Sequence, residues 1–162
     1  MSTNQPVQRR AVILDLAHYR RRVADLQEAL GAAGLDGLLI LNAANLMWAT
    51  GFFHIPNERP LGLYLPAHGQ PTLFVPFLEK ENAEQSWIAD IRWYEEFPGW
   101  EPAEVWMLRQ VNADRIGVDS ASHATFQRMA AIKPGLRLDN TLAQMRFLKT
   151  PAEIELTRQA AE

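Results

Sequence analysis

Apolar residues recur at alternating steps of three and four through Leu16, Tyr19, Val23, Leu26, Leu30 and Ala33, with Arg20, Arg21, Arg22, Asp25 and Glu28 mostly between them. That spacing predicts an amphipathic helix, and Gly34 is placed to end it in the left-handed conformation. The next segment, Gly37 to Leu41, is a short continuous apolar run, the pattern of a strand covered on both faces. Leu61 to Leu65 and Thr72 to Val75 read as two further strands. The segment between them, from Pro66 to Pro71, contains Gly69 and suits an antiparallel hairpin. Phe77 to Trp87 reads as a helix, Ile91 to Tyr94 as a strand, and Glu101 to Val111 as a helix with Pro102 in its first turn. Arg115 to Asp119 reads as a strand ending in a turn. Ser122 caps a helix to Ile132 that Pro134-Gly135 breaks, Leu136 to Leu138 forms a last short strand, and Thr141 to Leu148 follows. Helices alternating with short strands, plus one hairpin, imply an α/β sandwich around a mixed sheet.

The last predicted helix has the most explicit signal. Thr150 is a good N-cap, Pro151 suits the first helical position, and Glu153 three residues after Thr150 completes a capping box. With no apolar segment following it before Glu162, this helix is expected to be the start of a linker into a domain outside the sequence.

Composition narrows the class. The 162 residues suit one domain, and 48% hydrophobic with 22% charged residues is ordinary for a globular protein. A net charge of −3 gives no electrostatic reason to expect nucleic acid, and the absence of cysteine excludes disulfide and thiolate chemistry. No apolar run approaches the roughly 20 residues of a membrane helix. Arg9-Arg10 precedes only the short patch Ala11 to Leu14, too brief for a signal peptide, so the expected location is the cytoplasm. Residues 1–14 are expected to form a loosely attached or disordered N-terminal segment.

Candidate chemistry is sparse. Asp119, Ser120, Ser122 and His123 contain the residue types of a hydrolytic triad. Crowded into five positions, they suit a strand-end turn (Asp119) and a helix cap (Ser122) better than nucleophile, base and orienting acid. A self-contained hydrolase using Ser120 or Ser122 with His123 is therefore the weakest alternative. His18, His54, His68 and His123 show no metal-binding spacing. Glu79, Glu81 and Glu84, like Glu153 and Glu155, read as solvated helix faces, as does Arg20-Arg21-Arg22. Trp87, Trp93 and Trp106 fit core positions, whereas Trp100 sits in a loop as a possible exposed contact. The loop Thr50 to Pro60 carries Phe52, Phe53, His54 and Arg59 between structured segments. It either lines a site or packs, with both phenylalanines in the core and Arg59 paired with Glu58 or water.

Together these pieces resemble the N-terminal domain of the creatinase, prolidase and aminopeptidase P family, the pita-bread metallohydrolases. Tyr19 to Arg22 with Leu26, Leu30 and Gly34 to Ile40 resembles the family's opening helix and first strand. Asn45 to Phe52 resembles its Asn-x-x-Tyr-Leu-Thr-Gly-Phe segment, with Trp48 for Tyr and Ala49 for Leu. Ile116 to Asp119 also matches. Arg146 through Arg158 resembles the Arg-x-x-Lys-Ser-Pro-x-Glu-Ile linker, with Thr150 for Ser.

The resemblance implies a three-layer α/β/α sandwich with a mixed sheet of roughly six strands and a ribonuclease H-like motif. It implies a domain over residues 15–149 and a linker helix from 150 to 162 into a C-terminal catalytic domain. There, two Asp, one His and two Glu would hold two divalent metal ions (manganese, cobalt or zinc) that hydrolyse an amide before proline. By itself this chain is expected to lack peptidase activity. It would support a homodimer and the substrate pocket, in some relatives that of the neighbouring subunit, and its loop from Phe52 to Arg59 would do so here. His54, Arg59 and Phe53 are then the candidate substrate-binding residues, with Arg59 suited to the carboxylate of a short peptide. A creatinase-like non-peptidase hydrolase and a free-standing binding or dimerisation module are the alternatives.

Overall fold

The computed structural model describes residues 14–96 and 101–161. Helix α1 (Leu16–Ala32) starts at Asp15, whose carboxylate accepts the His18 amide proton at 2.8 Å, and ends before Gly34 at φ +70°. It buries Val23, Leu26 and Leu30 as the stripe requires, although Leu16 stays exposed. Strand β1 (Gly37–Ile40) follows, buried along its whole length. Helix α2 (Ala43–Thr50), capped by Asn42, comes next. The apolar pattern gave no warning of this short helix, in which Asn45, Trp48 and Thr50 interrupt any simple stripe.

The hairpin forms as expected, between β2 (Gly62–Pro66) and β3 (Thr72–Pro76). After it, the segment read as one long helix is a 3₁₀ turn (Phe77–Glu79) and a single short helix, α3 (Lys80–Glu84). Strand β4 (Asp90–Tyr94), α4 (Ala103–Arg109), β5 (Ile116–Val118), α5 (His123–Ile132), β6 (Arg137–Leu138), α6 (Thr141–Phe147) and α7 (Pro151–Ala160) complete the chain. The N-terminal segment expected to be loose, up to residue 13, and the Trp100 contact both lie outside the described residues.

The six-stranded sheet has the order β4-β3-β2-β1-β5-β6. β1 pairs antiparallel with β2 and parallel with β5, and the β3–β4 and β5–β6 pairs are also parallel, so the sheet is mixed. Strand side chains alternate between faces, and the core divides accordingly. Leu38 and Ile40 of β1, with Leu73 and Val75 of β3, pack under α1, α2, α3 and α6. Leu39 and Phe74, one position out of phase, pack with Met107 and Leu108 of α4 and Met129 of α5. Helices therefore cover both faces in a three-layer α/β/α sandwich. Each fully buried Leu or Ile of β1 contributes about 1.5–3 kcal/mol by leaving water.

Two tryptophan and phenylalanine expectations are corrected by this packing. Trp93 is 42% exposed, because β4 is an edge strand whose outer face the short α3 covers incompletely; the Lys80 ammonium sits 4.3 Å from its ring centre. Phe52 is buried in the core, whereas Phe53 is 63% exposed, because successive residues of an extended segment face opposite ways.

Candidate functional site

Parallel strands β1 and β5 end side by side and each leads into a helix, so their C-terminal ends open a crevice of the kind that holds ligands in α/β folds. Asp119, just past β5, organises its floor. Its carboxylate accepts the amide protons of Leu41 at 2.8 Å and Asn42 at 3.3 Å, and the Asn45 Nδ2 proton at 2.7 Å. Burial pushes its pKa up from the ordinary value, against the pull of these donors. Asn45 in turn accepts from Arg146 Nη1 at 2.5 Å. Asp119 stands at the strand-end turn expected of it and is also a half-buried hub joining β1, α2 and, through Asn45, α6. Partners 74 and 101 residues distant leave no local signal.

The loop from Gly51 to Leu61 folds over this crevice and closes a cleft of about 380 Å³, lined by Asn42, Phe52, His54, Asn57, Arg59 and Ser120 among others. Gly51, at φ +75°, turns the chain out of α2 into the loop. Asn57 Oδ1 accepts the Arg59 amide proton at 2.8 Å, and the Tyr94 hydroxyl donates to the Pro60 carbonyl at 2.9 Å, which pins the loop's far end to β4. The His54 ring is almost enclosed, with Nδ1 3.9 Å from a Glu79 carboxylate oxygen. Arg59 is one-third exposed; its Nε lies 2.8 Å from Glu96 and its Nη1 3.3 Å from Glu58. The packed-loop expectation of an Arg59–Glu58 pair is met, and Glu96 adds a second carboxylate.

Of the three candidate residues, His54 and Arg59 share the cleft and Phe53 does not. Phe53 lines a separate apolar groove of about 490 Å³ with Leu16, Tyr19 and Trp87. The cluster around Ser120 is no triad. Ser122 Oγ accepts the Thr125 amide proton at 3.1 Å as the cap of α5, His123 is exposed, and the Asp119 carboxylate faces the asparagines. Among the described residues no three His, Asp or Glu side chains come together in a way that holds a metal ion, and no helix is long and apolar enough to cross a membrane.

The sequence reading also missed a second polar assembly, on the α1 side of the sheet. Arg22 and Glu153, both assigned to solvated faces, are 7% and 8% exposed and bonded to each other at 2.5 Å. The Arg22 guanidinium also donates to the Trp48 carbonyl at 2.6 Å and lies 4.4 Å from the Trp48 ring centre, while Arg20 and Arg21 remain exposed. Burial would raise the Glu153 carboxyl, but hydrogen bonds from Thr150 and Trp48 and the Arg22 charge outweigh it and hold it below the ordinary value. Burial likewise lowers the Arg22 pKa, against the Glu153 charge.

The model of the Creatinase/Prolidase N-terminal domain matches residues 22–148. The chain belongs to that family. An "Uncharacterized peptidase" of Staphylococcus saprophyticus subsp. saprophyticus is 26% identical over 148 residues, which span 87% of this chain and 41% of the relative. The Xaa-Pro dipeptidase of Lactobacillus delbrueckii subsp. lactis is 29% identical over 149 residues, or 85% of this chain and 40% of its own length. The chain thus spans about two-fifths of these curated relatives. Among solved structures, the dipeptidase PepE of Mycobacterium ulcerans superposes with a TM-score of 0.73 at 26% identity, over 88% of this chain and 40% of that one. The Creatinase/Prolidase N-terminal domain of an X-Pro dipeptidase from Streptococcus pyogenes shares the fold at TM-score 0.66 and 21% identity, covering 77% of this chain and 98% of its own.

Proposed function

We propose that this member of the creatinase/prolidase N-terminal family is the non-catalytic, N-terminal domain of a cytoplasmic, metal-dependent Xaa-Pro dipeptidase- or aminopeptidase-like hydrolase. In this reading it supports a homodimer and supplies part of the substrate pocket, its own or a neighbouring subunit's. The observation that carries the reading is the cleft in which the loop after α2 sets the Arg59 and His54 side chains over the ends of β1 and β5. The names of the relatives support a dipeptidase, and their greater lengths support a further domain beside this one. The described residues of this chain do not assemble a metal cage. In this reading two divalent ions, manganese, cobalt or zinc, are held by the proposed catalytic domain, and this chain's own part is binding.

Arg59 can present a planar fork of N–H donors to the carboxylate of a short peptide. Its present partners hold the guanidinium in place: Glu96 Oε1 is buried against Nε, whereas Glu58 at Nη1 is 76% exposed and can yield that donor edge to a ligand. In the full-length enzyme, Arg59→Ala is expected to lower kcat/KM for an Xaa-Pro dipeptide by about 10–100-fold, mainly through KM, as loss of a charge-assisted hydrogen bond requires. An unchanged kcat/KM would remove Arg59, and with it the pocket role, from the reading.

A further inference from the structure

Helix α7 is held to the domain in an unusual way. Of its ten residues Glu153 alone is buried, while Ile154 and Leu156 are 46% and 38% exposed. The junction before it is bare as well, with Phe147 and Leu148 81% and 82% exposed. Among the described residues no apolar face fixes the direction of α7, and a helix this short is marginal without anchoring. The anchor of its first turn is a carboxylate. Glu153 Oε2 accepts the Thr150 amide proton at 2.8 Å and so closes the helix's own cap. Oε1 accepts from Arg22 Nη2 of α1 at 2.5 Å and from Trp48 Nε1 of α2 at 2.8 Å. Arg22 is committed too: its other nitrogen holds the Trp48 carbonyl, and its guanidinium lies 4.4 Å from the Trp48 ring centre and 5.7 Å from that of Tyr19.

A buried ion pair adds little net stability, because removing both charges from water offsets most of their attraction; what it does impose is one geometry. Here that geometry joins three elements, and one of them, α2, ends at Gly51, where the loop bearing His54 and Arg59 begins. We propose that Arg22, Trp48 and Glu153 form a positioning latch that sets the direction in which α7 leaves the domain relative to the cleft loop. The consequence for the enzyme rests on the function proposed above: the latch registers the substrate-binding loop against the domain that follows α7. The latch itself does not depend on that function, and its test needs no activity.

The chain has no cysteine, so spin labels can be placed through Gln127→Cys on α5 and Thr157→Cys on α7, both at exposed positions. Double electron–electron resonance on the labelled chain is expected to give one narrow distance. Glu153→Gln keeps a side chain able to complete the capping box but removes the charge that holds Arg22. It is expected to replace the narrow distance by a broad distribution while helical circular dichroism is retained. Val23→Ala, which opens a cavity on the core side of α1, is the control and is expected to leave the distance narrow. In the full-length enzyme Glu153→Gln is expected to raise KM for a dipeptide about tenfold with kcat less affected, as a displaced binding loop requires. A distance as narrow in Glu153→Gln as in the parent, or equal broadening in Val23→Ala, overturns the latch whatever Arg59→Ala does to activity.

Discussion

Asp36, in the turn between α1 and β1, shows how one exposed carboxylate can tie distant segments together. It accepts from Arg115 Nη2 at 2.6 Å, from Arg115 Nε at 3.1 Å and from the Arg115 amide at 2.9 Å, which fixes the entry to β5 beside the entry to β1. The Arg115 side chain, and then its amide, pull the Asp36 pKa from 3.8 down to about 2. A folded-state value below the unfolded one means that the contribution is fully present above the unfolded pKa and is lost as pH falls through the folded one. The window is therefore about pH 4 to 2. Urea midpoints measured across it are expected to show wild type more stable than Asp36→Asn at neutral pH, with the gap closing toward pH 2. A gap that stays constant would mean that Asp36 acts through shape alone. Glu153 has the same sign, since its carboxyl is also held below the ordinary value.

At the scale of elements, the turn out of α2 governs where the cleft loop starts. Gly51 sits at φ +75°, and a Cβ there would come within 2.7 Å of the Tyr19 ring, so an added methyl meets both backbone strain and a side chain of α1. Gly51→Ala is expected to cost about 1–2 kcal/mol, or a fall of a few degrees in Tm. Gly31, inside α1 with nothing within 4 Å of the same position, is the contrast; Gly31→Ala is expected to add about 0.5–1 kcal/mol through helix propensity. Thermal unfolding of the two variants checks both signs. The elements themselves were unevenly legible. α1, the hairpin and the capped α7 announce themselves through local chemistry: a stripe, a Gly-containing turn, a Thr-Pro-x-Glu start. α2 and the true extent of α3 do not, because α2 owes its place to Asn42 capping and to contacts of Asn45 and Trp48 with α6, α7 and α1. The residues after β3 spend their first turn as a 3₁₀ segment.

For the molecule as a whole, the proposed division of labour makes a chelation experiment decisive. EDTA is expected to abolish hydrolysis by the full-length enzyme while leaving the Tm of this 162-residue chain unmoved. A chelator-induced fall in that Tm would place a metal site within the chain. The sequence by itself determined the α/β class, the antiparallel hairpin and the two-faced burial of β1, because periodicity and turn chemistry are local properties that each segment carries alone. It also supported the family, whose domain model matches residues 22–148. Only the tertiary structure decided which polar residues matter together. Arg22 and Glu153 look like surface charges until packing brings positions 131 residues apart into one buried bond. Phe53 and Arg59 look like one loop until its irregular path turns the first away from the cleft and the second into it. Pairing across the fold has no periodicity to read; it exists only once the sheet has brought α1, α2 and α7 side by side.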